Sequence, residues 1–112
     1  MSNHNRRKDA AVQYTRLQVS DLLAKRTMNI ADFHRLLMRR EPAFTMNYAR
    51  LHALITGVTR NVSVDAIGAI ARTLNVSVGE LFEDIPADSP VALAEIARQQ
   101  QYAAASKRRR EG

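Results

Sequence analysis

Asn47, Tyr48 and Arg50 fall within four consecutive residues, with Ala49 between them and Ala53 one helical turn beyond Ala49. The surrounding pattern is helical. Leu51, Leu54 and Ile55 recur at i, i+3 and i+4, which marks one buried stripe and leaves Tyr48, Ala49, Arg50, His52, Ala53 and Thr56 on the other face. The chemistry of that face suits a nucleic acid. A guanidinium can donate to guanine O6 and N7 together, and small methyl-bearing residues admit close approach to thymine methyls. The Asn47 amide could bond a base or a phosphate, and the Tyr48 phenol could donate to a phosphate or stack on a sugar. Each residue also has a plainer reading. Arg50 and His52 could be solvated surface groups, and Asn47 could cap the helix through its side-chain oxygen, a role compatible with DNA contact.

Charge separates along the chain in a way that fits such a partner. The 112 residues carry a net charge of +6. Residues 1–60 hold eleven Lys/Arg and four Asp/Glu, whereas residues 61–90 hold one Arg and five acids. Residues 91–112 return to five basic against two acidic residues. One basic face that approaches a polyanion and one acidic face that does not would produce this asymmetry; solubility alone is the plainer reading.

Other classes find little support. With no cysteine in the chain, a disulfide framework and a Cys-based zinc site are excluded. His4, His34 and His52 form no ligand set at a recognised spacing, so neither metal nor cofactor is expected. No apolar run approaches the ~20 residues of a membrane span, and MSNHNRRKDA lacks the apolar segment of a secretory signal. No phosphate loop or nucleophile motif is present, so no enzymatic activity is expected. A cytoplasmic, nucleoid-associated protein is the expectation.

The elements that must position the basic face are short helices. Residues 9–26 read as a first helix, with Val12, Val19, Leu22 and Leu23 toward the core. Asn29 caps a second, with Ile30, Phe33, Leu36 and Leu37 inward, ending near Arg39–Arg40 because Pro42 disfavours a helical Glu41. Gly57 fits a helix C-terminus that needs positive φ. Ser63 caps a helix with the stripe Val64, Ile67, Ile70, Ala71 and Leu74, and Ser77 caps a last short turn with Val78, Leu81 and Phe82 inward. Met28, Met38 and Met46 read as core fillers. No strand is convincing. The expected organisation is a disordered basic arm at 1–8, a domain at 9–83, a linker at 84–90, a helix at 91–105 and a basic tail at 106–112. Short basic runs at 6–8 and 107–110 could add non-specific phosphate contacts or simply solubilise the ends.

Residues 19–82 of this chain resemble the Cro/C1-type (XRE-like) helix-turn-helix domain of phage repressors and bacterial regulators. Leu51–Phe82 carries the likeness, through Gly57, a polar loop, Ser63, the IGAIARTLNVSV run and the closing ELF. The resemblance implies an all-α, five-helix fold with one additional C-terminal helix. It implies that residues 29–37 form the first motif helix and 47–56 the recognition helix, whose N-terminal residues contact base edges. Those are Asn47, Tyr48, Ala49 and Arg50, with Ala53 a turn further on. Thr56, Thr59, Arg60 and Asn61 match positions that touch phosphates or neighbouring bases. Apart from the resemblance, Arg39 and Arg40 could follow the phosphate backbone or simply be solvated.

Three departures from the family pattern stand out. MRREPAF adds about seven residues between the motif helices, either lengthening the first or forming a protruding basic loop. Ile30 stands where the family often has a phosphate-binding Gln, and His34 where a small residue packs on the recognition helix. The expected function is sequence-specific transcriptional regulation, repression above all, by a homodimer on double-stranded DNA with a pseudo-palindromic operator. Leu93, Ile96, Ala97 and Ala104 are the candidate dimer stripe, although a stripe so short and Ala-rich could instead only pack back on the domain. The alternatives are an antitoxin with a toxin partner and a non-specific nucleic-acid binder.

Overall fold

The computed structural model describes residues 12–111. The expected basic arm at 1–8 lies outside the described residues. Strand β1 (Gln13–Leu17) leads into α1 (Val19–Lys25), α2 (Ile30–Arg40), α3 (Tyr48–Ile55) and α4 (Val64–Leu74). A 3-10 turn (Val78–Leu81), strand β2 (Phe82–Pro86) and the long α5 (Pro90–Glu111) complete the chain.

The helices start and stop where local chemistry dictates. Asn29, Asn47 and Ser63 each accept a hydrogen bond from the backbone N–H three residues on, at 2.7, 2.8 and 3.1 Å. Each thereby satisfies one of the orphan donors at a helix N-terminus. Ser77 and Glu80 form a reciprocal capping box, and the bonds from the Ser77 backbone and hydroxyl hold the Glu80 carboxyl below its ordinary pKa. At the other ends, α1, α3 and α4 share one solution. Met28 bonds back to Leu23, Val58 to Ala53 and Val76 to Ala71, each at 3.0 Å, across a left-handed residue. That residue is Gly57 (φ 82°), Asn75 (φ 59°) and, unusually, the β-branched Thr27 (φ 53°). Thr27→Gly is accordingly expected to raise stability by about 1 kcal/mol, measured as a rise in the denaturant midpoint.

Phe33, Leu37, Leu51, Ile70, Leu81 and Val19 form the fully buried centre, where α2 packs against α3 and α4. On α4 the alanines 66, 69 and 71 lie buried beside Ile70 and Leu74, so small residues let the helices approach closely. Val64 departs from the expected stripe. It opens the helix and remains 85% exposed, because the first turn reaches past the core.

The all-α expectation needs correcting. Residues 13–17 are not part of a helix from 9 to 26; they pair antiparallel with Phe82–Pro86, with Tyr14 opposite Ile85 and Arg16 opposite Glu83. Gln18 N donates to Leu81 O at 2.7 Å and Ala87 N to Val12 O at 3.1 Å, sealing both ends of the ribbon. The expected 84–90 linker therefore begins as strand. The expected tail at 106–112 is helical through Glu111, since α5 continues through it. Among the described residues no helix is long and apolar enough to cross a membrane.

Candidate nucleic-acid interface

Buried Leu51, Leu54 and Ile55 fix the rotation of α3. At about 100° per residue, the direction opposite that stripe falls on Ala49 and Ala53. Tyr48, Ala49, Arg50 and His52 are exposed, and Ala53 and Thr56 are half-buried. The outward ridge is thus low, flanked by Arg50 on one side and by Tyr48 and His52 on the other.

The entry to α3 is fixed by contacts that the sequence pattern does not show. His34 Nε2 donates to Met46 O at 2.6 Å, and its ring meets Tyr48 edge-on with centroids 6.0 Å apart. Tyr48 in turn lies 5.8 Å from His52. The bulk of His34 therefore serves as a strut from α2 to the first turn of α3. The seven-residue insertion divides between helix and turn. Met38–Arg40 extend α2, Phe44 and Met38 pack against the core, and Met46 is buried. Glu41 accepts a forked hydrogen bond from Arg72 on α4, at 2.7 Å from Nη2, and this pairing lowers the Glu41 pKa.

Arg39 and Arg40 are exposed in the last turn of α2, where the helix dipole also favours cations. The Asn47 oxygen is engaged in capping, which leaves its amide N–H groups as donors. Thr56 Oγ1 donates back to His52 O at 2.8 Å. Thr59 and Asn61 line, with Ala49, Arg50 and Ala53, a cleft of about 360 Å3. Arg60 is placed differently from its neighbours. Its guanidinium lies 4.6 Å over the Tyr14 ring, and Nη1 donates to Thr15 O at 2.8 Å, so it anchors the loop on β1.

Behind this face lies a polar cluster that sequence reasoning missed. Glu95 of α5 is only 4% exposed. It accepts from Arg16 Nε at 2.8 Å and from the Tyr14 hydroxyl at 3.2 Å. Arg16 also reaches Glu83 at 2.7 Å and Asp21 at 3.2 Å. Burial works against the Arg16 charge, but these carboxylates, Glu95 foremost, outweigh it and raise the pKa above the ordinary arginine value. Gln99 Nε2 donates to Gly57 O and to the Tyr14 oxygen, both at 2.7 Å, and Arg98 Nε to Thr56 O at 3.3 Å. Helix α5 is thereby tied to the end of α3. No local signal marks these partners, because Arg16 and Glu95 stand 79 residues apart.

Two capped helices in sequence, the second presenting a low ridge flanked by cations and donors on a basic chain, define a helix-turn-helix DNA-binding protein. A family model described as the Cro/C1-type HTH DNA-binding domain matches residues 18–87, more than half of the 112 residues. The chain belongs to this family and is a DNA-binding regulator. No curated protein and no solved structure matches it. Strand β1 and helix α5 fall outside the matched span.

Proposed function

We propose that the protein is a sequence-specific repressor that binds a pseudo-palindromic operator as a homodimer, with α3 lying in the major groove and promoter occlusion as its mechanism. The observation that carries this reading is the low ridge of exposed Ala49 and half-buried Ala53 beside Arg50, on a helix held by its cap and by His34. Low side chains let the helix backbone approach the base edges, and Arg50 supplies a bidentate donor for guanine. Helix α5 supports the dimer. It docks through Ala92, Glu95 and Gln99 and leaves Leu93 55% exposed, with Ala97 and Ala104 also outward. The expected stripe is thus free for a second copy, except Ile96, which is half-buried. Two-fold symmetry in the protein calls for half-sites about one helical turn apart.

Selection of binding sites from a random duplex pool tests the proposal. It is expected to enrich an inverted repeat with a G·C pair in each half-site, bound by two chains per duplex. Recovery of no motif, with equal affinity and salt slope on every duplex, would leave a purely electrostatic binder instead.

A further inference from the structure

We propose that the last turns of α5 form a second DNA-contacting element, a rigid basic arm that grips the phosphate backbone beside the groove occupied by α3. The proposal rests on the reading of α3 as the helix that docks on DNA.

The anchoring comes first. Glu95, Arg98 and Gln99 hold α5 to β1 and to the C-terminal turn of α3, ending on Thr56 O and Gly57 O. The bonds to Thr56 and Gly57 come from consecutive residues of α5, so the helix leaves the domain body in a set direction rather than as a loose tail. One turn beyond Gln99, Tyr102 stands 46% exposed and shares the cleft lined by Ala49, Arg50, Ala53 and Asn61. Helix α5 therefore passes directly alongside the proposed reading face.

The charge comes next. Ala103 and Ala104 are exposed, and the helix continues through Lys107, Arg108, Arg109 and Arg110 to Glu111. At 1.5 Å per residue, Arg110 lies about 12 Å of helix beyond Tyr102. The segment holds four consecutive cationic residues, so its net charge is positive however α5 is rotated. A polyanion seated on α3 lies within reach of that charge. Cations also suit the negative end of a helix dipole. That role would show in helix content, whereas a phosphate contact shows in the salt dependence of binding.

The test uses the full chain on a selected site and on a random duplex, between about 50 and 200 mM salt. Neutralising the run (Lys107→Gln with Arg108→Gln, Arg109→Gln and Arg110→Gln) is expected to lower the slope of log K against log salt by about 2–4, at about 0.9 per phosphate contact. Affinity should fall on both duplexes alike, because phosphates carry no sequence. Ser106→Pro keeps every charge, lies outside the stripe proposed for the dimer, and breaks the helix just ahead of Lys107; it is expected to weaken binding by about tenfold. An unchanged slope in the neutralised chain overturns the contact. Wild-type affinity in Ser106→Pro overturns the rigid arm in favour of a flexible tail. Tighter binding by either variant overturns the proposal by making α5 an obstruction. A wild-type chain that binds neither duplex would instead defeat the reading of α3 itself.

Discussion

Glu95→Ala is expected to destabilise the protein by about 2–4 kcal/mol, in equilibrium denaturation followed by helicity. Removing one partner of a fully buried ion pair costs about 3–5 kcal/mol, because the remaining charge stays desolvated without compensation. The lower figure applies here because Arg16 keeps Glu83 and Asp21, both better exposed to water than Glu95. The loss also removes the acceptor of the Tyr14 hydroxyl, which keeps only the bond it accepts from Gln99, and empties the space against Gly57, where even a single added carbon would meet Glu95 Oε1 at 3.0 Å. Replacing both partners, Arg16→Met with Glu95→Leu, is expected to recover most of the stability, since an apolar pair needs no desolvation. A loss below about 0.5 kcal/mol for Glu95→Ala would show that the cluster does not hold α5 in place.

Ala49→Glu is expected to abolish specific DNA binding, by about 100-fold or more, while leaving the fold intact. Position 49 is exposed in the first turn of α3. A carboxylate there suits the positive end of the helix dipole, so the free protein gains rather than loses stability. On DNA the same group would stand on the ridge that must enter the groove, adding bulk where the backbone must come close and a negative charge between two phosphate strands. Ala49→Ser adds almost no bulk and no charge, and is expected to bind within a few-fold of wild type. An electrophoretic or anisotropy titration with matched unfolding curves checks both. Retained affinity in a folded Ala49→Glu chain would move the interface off α3.

Much of this arrangement was legible because its causes are local. Asn29, Asn47, Ser63 and Ser77 announce helix starts through side chains that reach three residues ahead, and Gly57 announces a stop through its φ. The α3 stripe needs only eight residues to define itself. What the sequence concealed depends on distance along the chain. Thr15 and Asp84, bonded across the ribbon, are 69 residues apart, so β1 showed only its imperfect helical periodicity. On α5 the docking face was hidden for a chemical reason. The docking face carries Glu95 and Gln99, whose polarity is matched by Arg16, Tyr14 and Gly57 O, while Leu93 faces out. Hydrophobicity alone does not mark such a docking face. Arg60 illustrates the same limit, since its contacts with Tyr14 and Thr15 join residues 45 or more apart in the chain.

In the proposed complex α3 reads bases, with Arg50 as a direct donor. The most direct test is the affinity of wild type and Arg50→Ala for every single-base-pair variant of a selected site. Wild type is expected to lose about 1–3 kcal/mol at one G·C pair in each half-site. Arg50→Ala is expected to bind the parent site more weakly by a similar amount and to be indifferent at that pair alone, with preferences elsewhere retained. An Arg50→Ala profile that superimposes on wild type at every position would contradict the assignment of α3 as the reading helix.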